Sequence, residues 1–217
     1  PRFINPALAI TRADQDTVAL VYGGLLKIGP DGNLTNNLAE SVTVSEDGLT
    51  YNIKIRKNLT FHDETPLTAK DVVFTIELIK NPELRSPIRG NWNDVSLEQI
   101  NEYELNVILK EPYAPFIENF TVGIMPSHLW GNLPVEQLPF SKYNTEPIGS
   151  GAFSIDTIHR SESGLINGYT LKPSKDNEGI KLEEIKLKYF SNEEDLTTAF
   201  KNKEINASVF LPSASIN

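Results

Sequence analysis

Between residues 51 and 56 apolar and polar positions alternate: Tyr51, Ile53 and Ile55 against Asn52, Lys54 and Arg56. A period of two places the apolar three on one face of a strand. The run breaks at Phe61-His62-Asp63-Glu64-Thr65-Pro66, and the period then changes. Val72, Val73, Ile76 and Ile79 recur at helical spacing, and Thr68 stands three residues before Asp71. That is the spacing of a capping box, with Asp in place of the usual Glu. Asn81-Pro82 stops the helix. A strand over 41–45, turned by Glu46-Asp47-Gly48, forms a hairpin with the strand at Tyr51. Leu105, Val107 and Leu109 mark a further strand over 104–110.

The remaining elements follow from the same patterning. Asp14 caps a helix running to about Val21, and Gly23-Gly24 ends it. A short strand over 25–28 leads into Gly29-Pro30-Asp31-Gly32, a turn by its chemistry. Residues 85–94 read as a loop carrying an exposed Trp92. A short helix covers 116–120, a helical turn starts at Pro126-Ser127, and the Pro-rich stretch 133–147 reads as a surface connection. Strands follow near 153–158, 169–172 and 182–189. Asn192 caps a helix whose Leu196, Ala199 and Phe200 face the core, and a last strand covers 207–211. Strands and helices intermix, so the class is α/β or α+β with mixed sheets.

A length of 217 residues corresponds to one or two domains. No apolar run approaches the ~20 residues that cross a bilayer. The net charge of -9 comes without a basic stripe, which argues against nucleic acid as a partner. It reads first as solubility, then as attraction for cationic ligands. With no cysteine, disulfides, thiolate metal sites and cysteine nucleophiles are excluded. The chain begins with Pro and holds one Met, Met125, so it reads as a processed or trimmed piece with any signal peptide outside it.

His62, His128 and His159 have no metal-ligand spacing, and His62-Asp63-Glu64 reads as a polar turn. No metal and no cofactor is expected. Glu193-Glu194-Asp195 suits a helix N-terminus. Gly149-Ser150-Gly151 lacks the rest of a nucleophile elbow or a dinucleotide fingerprint, and reads as a tight turn. The four Asn-x-Ser/Thr sequons, at Asn33, Asn58, Asn119 and Asn206, are explained by the abundance of Asn. Gly23-Gly24-Leu25-Leu26 is the best cleft candidate, because two glycines let a ligand approach the backbone and a strand edge can add an extended peptide. The same residues also read as a helix C-cap and a core strand. Trp92 and Asn93 offer either packing or a ligand platform.

The string Leu49 to Ile79, LTYNIKIRKNLTFHDETPLTAKDVVFTIELI, resembles the signature of bacterial extracellular solute-binding proteins of family 5, the oligopeptide-, dipeptide- and nickel-type receptors of ABC importers. Asn5-Pro6, Tyr22-Gly23-Gly24-Leu25, Leu38-Ala39-Glu40-Ser41 and Asp47-Gly48-Leu49-Thr50-Tyr51 fall in the family's order. So do Ser86-Pro87, Pro112-Tyr113, Met125-Pro126, residues 147–153 and residues 199–205. Two positions depart from its pattern: Glu64 replaces the usual Gly, and Gly23 replaces a usual Glu.

The resemblance implies the first lobe of a type II periplasmic-binding-protein-like fold, made of residues 1–28 and 147–217. An inserted α+β subdomain, 29–146, lies between segments that share one sheet. The second lobe is expected to be missing, since family members are typically more than twice as long. The implied function is the substrate-binding component of an ABC importer. It captures oligopeptides in an interlobe cleft and delivers them to a membrane permease. The implied protein is a monomer, not an enzyme. It is extracytoplasmic, in the periplasm or on the outer face of the membrane, with a lipid anchor in the full-length form. Ligand contacts are expected from Gly23, Gly24, Leu25, Leu26, Trp92, Asn93, Gly149, Ser150, Gly151 and Phe210. The competing readings are a non-transport peptide receptor or interaction module on the same fold, and a hydrolase using His62 or His159. For the hydrolase no nucleophile, base and orienting residue can be named together.

Overall fold

A computed structural model describes residues 2–175 and 181–209. Three antiparallel sheets and four α-helices make up its regular structure. Helix α1 spans Arg12–Val21. Its N-cap is Thr11, one turn earlier than the sequence suggests, because Asp14 occupies the third helical position of a capping box. The Asp14 carboxylate accepts from the N–H of Arg2 at 2.7 Å, the N–H of Phe3 at 3.1 Å and the Thr11 hydroxyl at 2.7 Å. Burial opposes its ionisation, but these bonds outweigh burial and hold Asp14 below the usual carboxylate range.

Strands β1 (Leu26–Ile28) and β2 (Leu34–Asn36) form a two-stranded hairpin around Gly29 to Gly32. Strands β3 (Ala39–Val44), β4 (Thr50–Ile55), β5 (Val95–Asn101) and β6 (Glu104–Leu109) form a sheet in the order β3-β4-β6-β5. Tyr51, Ile53 and Ile55 of β4 and Leu105, Val107 and Leu109 of β6 are all buried, as their alternation requires. Helix α2 (Ala69–Lys80) buries Val72, Ile76 and Ile79. Asp71 accepts the N–H of Thr68 at 2.9 Å and that of Ser127 at 2.9 Å. The Thr75 hydroxyl accepts the N–H of Met125 at 2.9 Å and donates to the carbonyl of Asp71 at 2.7 Å. These two polar side chains tie α2 to the short helix α3 (Ser127–Trp130).

Strands β7 (Phe153–Arg160), β8 (Ile166–Pro173) and β9 (Ile185–Lys188) form the third sheet. Helix α1 lies near it, with the Thr17 and Tyr189 hydroxyls 2.6 Å apart. Helix α4 (Glu193–Lys201) is capped by Asn192, whose side chain accepts from the Asp195 N–H at 2.8 Å. Ala199 is buried there, but Phe200 is exposed rather than core-facing. No helix among the described residues is long and apolar enough to cross a membrane.

The structure corrects four further expectations. The stretch 85–94 carries a 3-10 helix, Arg89–Trp92, and Trp92 is buried. The Pro-rich stretch 133–147 holds two 3-10 helices and buries Leu138 and Asn144. Asn144 is tied to the start of the chain: its carbonyl accepts the Ile4 N–H at 2.8 Å, and its side-chain oxygen accepts from Asn5 at 3.1 Å. Among the described residues β1 pairs only with β2, so the segments on either side of 29–146 do not share a sheet. The described part of the last expected strand, 207–209, is not a strand, and residues 210 and 211 lie outside the described residues.

Candidate functional site

Seven of the candidate residues meet at one junction. Helix α1 ends at Val21, whose carbonyl accepts the N–H of Gly151 at 2.8 Å. A Cβ on Gly149 would stand 2.1 Å from that carbonyl oxygen, and one on Gly151 would stand 2.5 Å from the carbonyl of Leu20. A Cβ on Gly24 would lie 2.6 Å from the carbonyl of Thr121, and one on Gly23 3.1 Å from the carbonyl of Ser150. Backbone therefore runs against backbone, and at Gly24, Gly149 and Gly151 a side chain would require the opposing backbone to shift. Gly24 bridges Gly123, and the carbonyl of Gly23 accepts the N–H of Ile124 at 2.8 Å. The carbonyl of Gly24 accepts from Leu38 N–H at 3.2 Å and the Asn37 side chain at 3.0 Å. That of Leu25 accepts the N–H groups of Asn37 and Ala39.

The close approach that glycine permits is thus made here by the chain's own backbone, and Gly23, Gly24, Leu25 and Leu26 are buried. Two hydroxyls at the junction, of Tyr22 and Ser150, are buried without a hydrogen-bond partner among the described residues. Burial pushes the Tyr22 phenol well above its usual value.

His62 locks the turn from the other side. Its N–H donates to the carbonyl of Gly149 at 2.8 Å, and its Nδ1 accepts the Gly149 N–H at 3.3 Å. Its Nε2 lies 3.1 Å from the carbonyl of Gly151 and must donate there, which assigns the Nε2–H tautomer. The other histidines lie elsewhere. His128 Nε2 is 2.7 Å from Asp63 Oδ2, and His159 Nε2 is 2.7 Å from the Thr170 hydroxyl. Burial opposes the charge of Asp63, but hydrogen bonds from His128 and Thr65 prevail and lower its pKa. Among the described residues no three His, Cys, Asp or Glu side chains converge on a point that could hold a metal ion.

Trp92 and Asn93 belong to a second place. Trp92 packs edge-on against Phe116 at 5.4 Å between ring centroids, and Phe116 and Phe120 also meet Tyr51. The indole is core rather than a platform, because the polar residues around it in sequence are carried outward by the 3-10 turn. Asn93 is exposed and borders an open groove of about 640 Å³ with Asp94, Lys110, Glu111, Tyr113 and Glu118. The 3-10 helix Ala114–Thr121 links the two places: Phe116 and Phe120 lie beside Trp92, and the Thr121 carbonyl lies against Gly24. Phe210 lies outside the described residues. Sequence reasoning missed Tyr22, Asn37, His62 and Gly123 at the junction. A lone glycine in an apolar run, as in Val122-Gly123-Ile124, was the available signal of close backbone approach.

Residues 33–217 match the family model described as bacterial extracellular solute-binding proteins, family 5 Middle. The oligopeptide-binding protein AppA of Bacillus subtilis is 34% identical over 158 residues, which are 70% of this chain and 29% of that protein. The structure of AppA from Bacillus subtilis in complex with a nonapeptide superposes with a TM-score of 0.85 at 27% identity, covering 95% of this chain and 41% of that one. That of NikZ from Campylobacter jejuni in complex with Ni(L-His) does so with a TM-score of 0.83 at 28% identity, covering 95% and 40%. The chain therefore spans well under half the length of these relatives.

Proposed function

Because the chain belongs to the family 5 bacterial extracellular solute-binding proteins, we propose that it forms one wall of an oligopeptide receptor serving an ABC importer. The observation that carries this reading is the similarity to an oligopeptide-binding protein, in sequence over 70% of the chain and in fold over 95% of it. On this reading residues 1–28 and 147–217 are one discontinuous unit, with 29–146 inserted. The bonds between Gly151 and Val21 and between Thr17 and Tyr189 support that division, while those of Asn144 with Ile4 and Asn5 join the insert to the unit.

The glycine junction is a rigid floor for the solute. Its carbonyls are engaged, so the groups left for a peptide are their second lone pairs. A peptide in such a cleft meets main-chain groups and leaves its side chains in roomy spaces. Enclosure completes the site, since a bound solute normally has most of its surface buried. The receptor works outside the cytoplasm, as a monomer held near its permease by a lipid anchor, and it performs no reaction. The similarity to NikZ raises a metal chelate as the alternative solute.

Heteronuclear NMR on the chain with a mixture of short uncharged oligopeptides tests this. Amide shifts are expected at residues 22–26 and 148–151, with affinity no better than about millimolar, because one wall supplies few contacts. Shifts only with nickel-histidine, or peptide shifts confined to other residues, would overturn the peptide reading.

A further inference from the structure

Tyr113 stands at the boundary of two concavities. One is the polar groove of about 640 Å³ that Asn93 borders. The other is a smaller notch of about 260 Å³ lined by Val44, Tyr51, Pro112, Tyr113, Ala114 and Ile117, and it is nearly all carbon. Val44 is 48% exposed and Tyr113 59%, an unusual position for large apolar side chains side by side. The notch has room for one large side chain and not for a helix.

The rim of the adjoining groove carries Asp94, Glu111 and Glu118 against a single Lys110. None of the three carboxylates is in an ion pair among the described residues. The ion pairs seen, such as Arg12–Asp16, Lys172–Asp156 and Lys188–Glu204, all lie elsewhere. Asn91, Asn93 and Asn119 add amides to the same rim. None of Gly23, Gly24, Gly149, Ser150 and Gly151 lines either concavity, so this surface is not the floor described above.

We propose that this apolar notch with its acidic rim is a docking surface for a protein segment that presents one large apolar side chain flanked by lysines or arginines. Charge decides among the possible occupants. Anionic lipid headgroups are repelled by the rim. A second copy of this chain, at a net charge of -9, is opposed as well. A basic segment gains the three carboxylates and the exposed face of Tyr113, which attracts a cation. The surface is small, so the contact is transient and sensitive to salt.

The test uses the blocked, fluorescein-labelled peptide acetyl-Lys-Phe-Lys-Leu-Lys-amide in an anisotropy titration. Saturable binding is expected, weakening about tenfold between about 20 mM and about 300 mM salt. The double variant Glu111→Lys/Glu118→Lys should lose at least about tenfold and should gain affinity for the matching Glu peptide. Tyr113→Ala should lose at least about threefold. All three positions are exposed, and circular dichroism checks that the variants fold. The proposal is overturned if the Lys and Glu peptides bind the parent chain equally. It is equally overturned if the double variant keeps its affinity for the Lys peptide, as it would were that peptide held at the glycine junction. Vesicles containing phosphatidylglycerol should not bind, and capture by them would replace the protein partner with a membrane.

Discussion

A methyl group on residue 149 would overlap the carbonyl of Val21, a backbone atom that cannot swing aside. Gly149→Ala is therefore expected to destabilise the chain by at least about 2 kcal/mol, as overpacking does. Gly90, with nothing near its missing Cβ, is the control. Gly90→Ala should leave the urea midpoint unchanged. Asp14 gives the pH-dependent counterpart. Its folded pKa lies below the ordinary 3.8, so its stabilisation is complete above that value and is lost as pH falls through the lower folded value. Asp14→Asn should cost about 1–2 kcal/mol at pH 7 and progressively less below pH 3.8, measured by urea unfolding across that range. An equal cost at both ends would mean that the charge of Asp14 contributes nothing.

Among the elements, α2 is tied to residues 125–127 by two polar side chains, Asp71 and Thr75. Thr75→Val keeps the shape but removes the acceptor for the buried Met125 N–H, so a loss of about 1–3 kcal/mol is expected in thermal or urea unfolding. Elements with one clean period could be read from the sequence: β4, β6 and α2 sit where alternation, helical spacing and the Thr68–Asp71 pair place them. Strand β5 was missed because only Val95 and Leu97 alternate before the register shifts between Gln99 and Asn101. Strand β2 is three residues long and mostly exposed, so it leaves no hydrophobic trace. The site was partly legible for a related reason. Glycine pairs announce close approach but not what approaches, and here it is the chain's own backbone. Nor can local polarity around Trp92 reveal that Phe116 and Phe120, distant in sequence, cover it.

For the molecule as a whole, the proposal that the chain forms one wall of the site predicts little affinity. Isothermal titration of the chain with a mixture of uncharged oligopeptides should give no saturable heat, since association costs at least ~4 kcal/mol before contacts are counted. Micromolar binding would mean that residues 1–217 already enclose the solute.

The glycine junction also sets an order of events in folding. The sheet β3-β4-β6-β5 is built from residues 39–109, and its longest closure, β4 onto β6, runs from Lys54↔Glu104 to Thr50↔Ile108, shorter than the closures at the junction. The contact of His62 with Gly151 spans 89 residues, and that of Thr17 with Tyr189 spans 172. Longer loops cost more chain entropy to close, so the sheet forms first and the junction last. Pulse-labelled hydrogen exchange should find the amides of β4 and β6 protected before that of Gly151. Because contacts made late weigh on the unfolding limb, Gly149→Ala should accelerate unfolding far more than it slows folding. The same tight crossing that leaves no room for a side chain thus acts as the closing latch of the fold, and its loosening as the first step of its undoing.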